Sequence, residues 1–280
     1  MRLDQIIAVG LVTWTYDPGI VVGLGFSAVM YGVGLVRARH RTFPTVRVLS
    51  FFSGWVCLVI ALISPLHEMG DFLFSAHMAQ HELLMAVAAP LLTLGRPDMV
   101  YLWSISFDMR KEVGRALQTV KPATKIFSSG LAAWALHAVV VWVWHIPVLF
   151  DAALSHDSVH ALQHFCFLGT ALLFWYALLY WSLGADSYGA GIIYVFTTAI
   201  HTSILGALLT FSGHPWYSVY SNTTLLWGYT PLEDQQIGGL IMWVPAGLVY
   251  IVVGLWLFAS WIQNSDRHSS FGAVEASRGV

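Results

Sequence analysis

FLFSAHMAQHELLMAVAAPLLTL, residues 72–94, carries one carboxylate, no Lys or Arg, and two histidines, His77 and His81, four residues apart. It is long enough to cross about 30 Å of hydrocarbon as a helix, which takes roughly 20 apolar residues. Six further stretches of this kind can be drawn, at 19–36, 46–64, 126–144, 158–183, 189–211 and 237–262. Of the 280 residues, 57% are hydrophobic and 10% charged, 13 are Trp, and the mean hydropathy is +0.68. Soluble domains rarely reach such values. The chain therefore reads as an all-α, polytopic membrane protein with seven transmembrane helices, divided into a membrane domain over 1–263 and a small, polar, disordered cytoplasmic tail over 264–280.

Lysine and arginine placement sets the orientation, because basic residues near span ends stay on the cytoplasmic side. Arg37, Arg39, Arg41 and Arg47 lie between spans one and two; Arg96, Arg110, Lys111, Arg115, Lys121 and Lys125 lie between three and four; Arg267 and Arg278 are in the tail. Only Arg2 falls on the other side, where the loops carry Glu68, Asp71, Asp151, Asp157, Glu233 and Asp234. An odd number of spans then puts the N-terminus outside and the C-terminus inside. Asp4 and Asp17 bracket a weakly apolar N-terminal stretch without the basic flank or cleavage site of a signal peptide, which suits a surface segment. Residues 97–121 place Met99, Leu102, Trp103, Ile105, Val113 and Leu117 at roughly helical spacing, as an interfacial helix or a linker shielding helix ends would. The aromatic and polar segment 212–236 is a candidate lid on the histidine side.

Nine of the twelve histidines share the outer half of the bundle. His77 and His81 lie in span three, His145 ends span four, His160 and His164 lie in span five with His156 at its mouth, His201 is near the middle of span six, and His67 and His214 are in loops. His40 and His268 are cytoplasmic, and His137 is near mid-membrane. Polar side chains persist in hydrocarbon mainly where they face the bundle interior and find a partner. Each pair, His77 with His81 and His160 with His164, is i and i+4, so it projects from one helix face as a two-ligand clip. Two clips could close a four-nitrogen site or two stacked sites, with His145 and His201 as further ligands.

Neutral imidazole suits zinc, copper, iron and nickel, while thioethers from Met85 and Met242 would favour Cu(I). That preference for copper over zinc holds if the thioethers face the same cavity; on these residues alone copper and zinc both stay open. Gln80, Glu82, Asp157 and Asp234 are candidates to orient the imidazoles, Asp234 also as a ligand. Taken singly, each histidine reads better as a helix-bridging polar residue; the paired spacing is what favours a metal. Trp134, Trp142, Trp144, Trp175 and Trp181 fit span packing and interfacial belts. Cys57 and Cys166 read as free core thiols, and Cys166 points away from His164 at i and i+2.

His81 and Glu82 begin an HExxH motif that Met85 breaks, so the intramembrane protease pattern fails. A seven-helix zinc hydrolase using the same histidines remains the alternative, with three imidazoles and an aspartate activating water. A single haem is a third option.

Four strings in order along the membrane domain, HMAQHELLMAVAAPLLTLGRP (77–97), WHIPVLFDAAL (144–154), VHALQHFCFLGTALLFW (159–175) and PLEDQQIGGLIMWVP (231–245), resemble the seven-helix CtaG-type cytochrome c oxidase assembly factors. That resemblance implies a non-enzymatic role in maturation of haem-copper oxidases, concerned with copper at the Cu-B centre. It implies as partners oxidase subunit I, periplasmic copper chaperones and the lipid bilayer of the bacterial cytoplasmic membrane. No nucleic-acid partner is expected. The positions it carries over are His77, Gln80, His81, His145, Pro147, His160, His164, Asp234, Gln235 and Met242; His201, His214 and Cys166 rest on depth alone.

Overall fold

The computed structural model describes residues 13–38, 43–124, 129–181 and 188–278, and among them it is helical with no strand. The helices are α1 (Pro18–Arg37), α2 (Thr45–Leu62), α3 (Pro65–Phe72), α4 (Phe74–Glu82), α5 (Ala89–Leu94), α6 (Pro97–Ser104), α7 (Phe107–Thr124), α8 (Gly130–Trp144), α9 (Pro147–Ser155), α10 (Asp157–Tyr176), α11 (Tyr188–Thr210) and α12 (Pro231–Arg278). A π-helical stretch, Leu83–Ala88, joins α4 to α5, and a second, Ala177–Trp181, extends α10.

Local sequence fixes many of the helix starts. Prolines stand at the first turn of α1, α3, α6, α9 and α12, where their missing N–H costs nothing. Asp17, Ser64 and Ser129 accept from the backbone N–H of Ile20, Leu66 and Ala132, capping α1, α3 and α8. α12 opens on a capping box in which Thr230 Oγ1 accepts from Glu233 N–H at 3.2 Å and Glu233 accepts from Thr230 N–H at 2.8 Å.

Among the described residues, five helices are long and apolar enough to cross a membrane unaided: Pro18–Arg37, Thr45–Leu62, Asp157–Tyr180, Tyr188–Thr210 and Pro231–Gln263. Two bent pairs raise the number to seven if each is one span: Phe74–Leu94 with Pro97–Ser104, bent by 55°, and Gly130–Trp144 with Pro147–Ser155, bent by 75°. A proline that cannot continue the preceding helix stands at each bend. Ile146 before Pro147 is extended, as steric pressure from a following proline requires, and Arg96 before Pro97 is left-handed with φ 51°. Arg96 is held by a paired contact with Asp98 at 3.0 Å and lies over the Tyr180 ring at 4.3 Å.

The connection expected as an interfacial helix or a linker is two helices, α6 and α7, broken at the extended Ile105. α6 lies against α1, where a Cβ on Gly34 would collide with the Val100 backbone. α7 leaves Phe107, Met109, Val113 and Leu117 exposed. At the C-terminal end the backbone of α12 stays helical through Arg278, past the predicted boundary at 263. The reason is physical: extending an existing helix avoids the cost of nucleating a new one, and no proline follows Pro245. Arg2, Arg39, His40, Arg41 and Lys125 lie outside the described residues, as do the N-terminal segment around Asp4 and the expected ends of spans at 126 and 183.

Two apolar cores result. One, around Tyr31 stacked on Phe51 at 3.6 Å, joins α1, α2 and α6 to the π-helical stretch; the other, around Phe74, Phe150, Phe167 and Trp175, joins α4 and α8 to α12. α11 and α12 approach closely at Gly206 and Gly239, where a Cβ on either would sit 2.8 Å and 2.7 Å from the other's carbonyl oxygen. The histidines lie beside the second core, at one end of the bundle.

Candidate metal centre

α4, which presents His77 and His81, has no N-cap side chain of its own, because Leu73 occupies that position. The cap comes from α12: Asp234, fully buried, accepts from the N–H of Phe74 at 2.6 Å and of Ser75 at 3.2 Å, and from the Ser75 hydroxyl. The start of α4 is thereby tied to the start of α12, with Gly238 leaving room for the Phe74 ring. After Glu82 the helix widens into its π-helical stretch. There the Met85 carbonyl accepts from the Trp175 indole at 2.9 Å, which satisfies a backbone group at the widened turn.

Between α3, α4 and α10 five imidazoles form one contiguous cluster. Ring centroids are 4.2 Å apart for His77 and His81, 4.3 Å for His160 and His164, 5.2 Å for His77 and His160, 5.4 Å for His81 and His164, and 5.4 Å for His67 and His160. Two triads within it have ligand nitrogens all within 4.8 Å of one another: His67, His160 and His164, and His77, His81 and His164. His164 belongs to both.

The hydrogen bonding leaves these rings free to coordinate. Both nitrogens of His77 and His81, and Nε2 of His160, His164 and His145, are buried without a hydrogen-bond partner. Gln163 lies beside His77, but no bond of acceptable geometry joins them. Orphaned buried polar atoms are costly and uncommon, and so many in one place fit a group that binds there. His145 Nδ1 lies 2.6 Å from the Val141 carbonyl, which can only accept. Its proton is therefore on Nδ1, its Nε2 lone pair has no partner, and its ring centroid lies 6.3 Å from that of His81.

His67, on the short helix α3, is the partly exposed member of the cluster. The Gln80 amide nitrogen donates to the Ala61 carbonyl at 2.7 Å and contacts His67 Nδ1 at 2.9 Å. Burial pushes the His67 imidazole below its ordinary range, opposed by the nearby Glu68 and Asp17 carboxylates. At the rim, partial desolvation and then the Glu68 and Asp157 carboxylates push Asp71 up to about 6. Tyr217 and Tyr220, from the segment expected as a lid, are buried against Phe74 and Phe150. Tyr217 donates to the His145 carbonyl at 3.0 Å and Tyr220 to the Gly70 carbonyl at 2.7 Å.

Of the residues singled out from sequence, the fold brings together His77, His81, His160 and His164, with His145 beside them. Met85 and Met242 lie in the apolar core with Phe174 and Tyr250. Asp234 caps α4. His201 stands apart, its Nδ1 accepting from the Trp142 indole at 3.4 Å. Glu82 opens onto a groove of about 310 Å³ lined by Ala79, Leu83, Ile241 and Pro245. Cys57 and Cys166 are free thiols. His67 is the residue that sequence reading left in the loop; the Ser64-Pro65 start of a separate helix, which turns the chain back over span three, was the signal for it.

The chain is similar to "Uncharacterized protein Mb0105" of Mycobacterium bovis and "Uncharacterized protein MT0111" of Mycobacterium tuberculosis, each 27% identical over 273 residues, covering 93% of this chain and 41% of the relative. It is likewise 27% identical over 272 residues to "Uncharacterized protein ML1998" of Mycobacterium leprae, covering 91% of this chain and 40% of the relative. The chain thus spans about two-fifths of the length of these relatives. No solved structure matches it. The profile of the cytochrome c oxidase caa3 assembly factors, Caa3_CtaG, matches residues 29–264, from the middle of α1 past the last apolar turn of α12, and the chain belongs to that family.

Proposed function

We propose that this protein is a copper-holding assembly factor of the bacterial cytoplasmic membrane, which binds Cu(I) through the histidine cluster and passes it towards the Cu-B centre of haem-copper oxidase subunit I, with no turnover of its own. Family membership supports the oxidase-assembly role. The single observation that carries the copper reading is the pair of all-histidine triads whose buried ring nitrogens have no protein partner. Imidazole donors suit copper and zinc alike, and charge separates the two. The cost of taking an ion out of water rises with the square of its charge, so a divalent ion costs about four times a monovalent one of the same size. Neither triad contains a carboxylate to offset that cost. Neutral imidazoles also let an ion go more readily than a closed thiolate cage would, as delivery requires.

The charge asymmetry of the loops supports an outer placement of the cluster, where periplasmic copper chaperones would supply the ion. The zinc-hydrolase alternative draws no support, since Asp234, the carboxylate it needed, is engaged with the N-terminus of α4. The test is metal content by inductively coupled plasma mass spectrometry on detergent-purified protein loaded with Cu(I), alongside Cu-B occupancy of the host oxidase. Loss of copper from a His77→Ala, His160→Ala double variant, with Cu-B-deficient oxidase in cells carrying it, is the expected result. Copper retained in full by the double variant would sink the reading.

A further inference from the structure

We propose that the five imidazoles hold one Cu(I) ion at a time and pass it inward from an outer triad, His67, His160 and His164, to an inner triad, His77, His81 and His164, with His164 as the ligand common to both positions. The inference rests on the copper reading above and specifies how the site loads.

Three observations carry it. The first is that His164 belongs to both triads, and its buried Nε2 has no protein partner. One nitrogen lone pair binds one ion, so the two triads compete for His164. The second is the gradient of burial: His67 is partly exposed on α3, His160 is 9% exposed, and His77 and His81 are 0% and 1% exposed on α4. The third is continuity. His160 contacts both His67 and His77, and His164 contacts His81, so an ion moving inward exchanges His67 and His160 for His77 and His81 while His164 stays bound. At no point does the ion stand bare in a low-dielectric interior, where a lone charge is most costly.

His67 is suited to letting go. Its Nδ1 rests against the Gln80 amide, which the Ala61 carbonyl holds in place. An ion taken through Nδ1 displaces that hydrogen bond, and His67 returns to Gln80 when the ion moves on. No proton is transferred, because the neutral ring already carries its proton on Nε2. Asp71, with Glu68 and Asp157 close enough to raise its carboxyl, places negative charge near His67 and His160 in sequence and raises the local concentration of cations.

The test uses the full chain in detergent with buffered Cu(I), read by stoichiometry at saturation and by stopped-flow capture. Wild type is expected to bind one ion per chain. His67→Ala is expected to reach the same stoichiometry but load about 10-fold more slowly, because the first capture point is gone. His81→Ala should still hold one ion, in the outer triad, and lose it at least about 10-fold faster to an external chelator. His164→Ala should lose binding at both positions, with recovery on adding free imidazole showing that the fold survives. Two ions per chain at saturation, unslowed loading of His67→Ala, or a His164→Ala protein that still binds tightly would each overturn the handover. Failure of wild type to bind Cu(I) at all would instead overturn the copper reading on which it stands.

Discussion

Asp234 and Phe74 are 160 residues apart in sequence, and the Asp234 carboxylate accepts the Phe74 backbone N–H at 2.6 Å. An N-cap is ordinarily supplied by the residue preceding the helix; here it comes from another helix, and it sets where the His77 and His81 clip begins. Asp234→Ala leaves the first turn of α4 uncapped inside the protein, at a cost of about 2 kcal/mol by the usual range for lost caps. Asp234→Asn keeps one acceptor and should cost less. Thermal unfolding in detergent checks the order. Asp234→Asn should also keep its copper stoichiometry, and loss of copper at unchanged stability would mean that Asp234 is a ligand.

Trp175 should matter for its indole N–H more than for its size. Trp175→Phe retains an aromatic ring in the core but leaves the Met85 carbonyl unsatisfied at the π-helical stretch. A buried acceptor without its donor costs about 1–3 kcal/mol, so the variant should melt earlier than wild type. An unchanged melting temperature would show that the α form can replace the π form without loss.

Tyr217 closes the histidine end by donating to the His145 carbonyl at 3.0 Å while its ring packs 4.1 Å from Phe150. Tyr217→Phe removes only the hydroxyl and should cost about 1 kcal/mol. Tyr217→Ala also empties a packed position, at about 3–5 kcal/mol by comparison with other large aromatic truncations. Chelator access to bound Cu(I) should rise in the alanine variant and stay near wild type in the phenylalanine variant.

Asp71 gives the site a pH dependence. With its carboxyl pushed up to about 6 by partial desolvation and by Glu68 and Asp157, it is charged above that pH and neutral below it. Cation capture should therefore slow as pH falls from 7 to 5, and Asp71→Asn should flatten that part of the profile. The stability effect has the opposite sign. A raised carboxyl favours the fold below its ordinary titration range, and that contribution fades as pH rises through about 6, so Asp71→Asn should gain stability relative to wild type above pH 6. A capture rate as pH-sensitive in Asp71→Asn as in wild type would assign the dependence to another group.

Gly206 and Gly239 let α11 and α12 touch backbone to backbone. Gly239→Leu has no room, because the Thr210 hydroxyl and Gly206 carbonyl lie 2.6 Å and 2.7 Å from where its Cβ would stand. It should separate the two helices and lower the yield of folded protein, measured by monodisperse elution in detergent.

The chain's own sequence determined the class of fold and the chemistry on offer. Long apolar runs can satisfy their backbone groups in hydrocarbon only as helices, and i, i+4 spacing puts His77 with His81 and His160 with His164 on single helix faces. A proline at the first turn, or a Ser, Thr or Asp before it, fixed many of the helix starts for local reasons. Only the tertiary structure decided which helices are neighbours, and with that which imidazoles meet. His67 joins the cluster because α3 turns back against α4 and α10, whereas Asp234, Met85 and His201, which match the cluster in type or depth, are drawn to a helix end, an apolar core and a tryptophan. Composition and spacing record what each residue can do along its own helix, and a metal site depends on distances between helices that no single helix encodes.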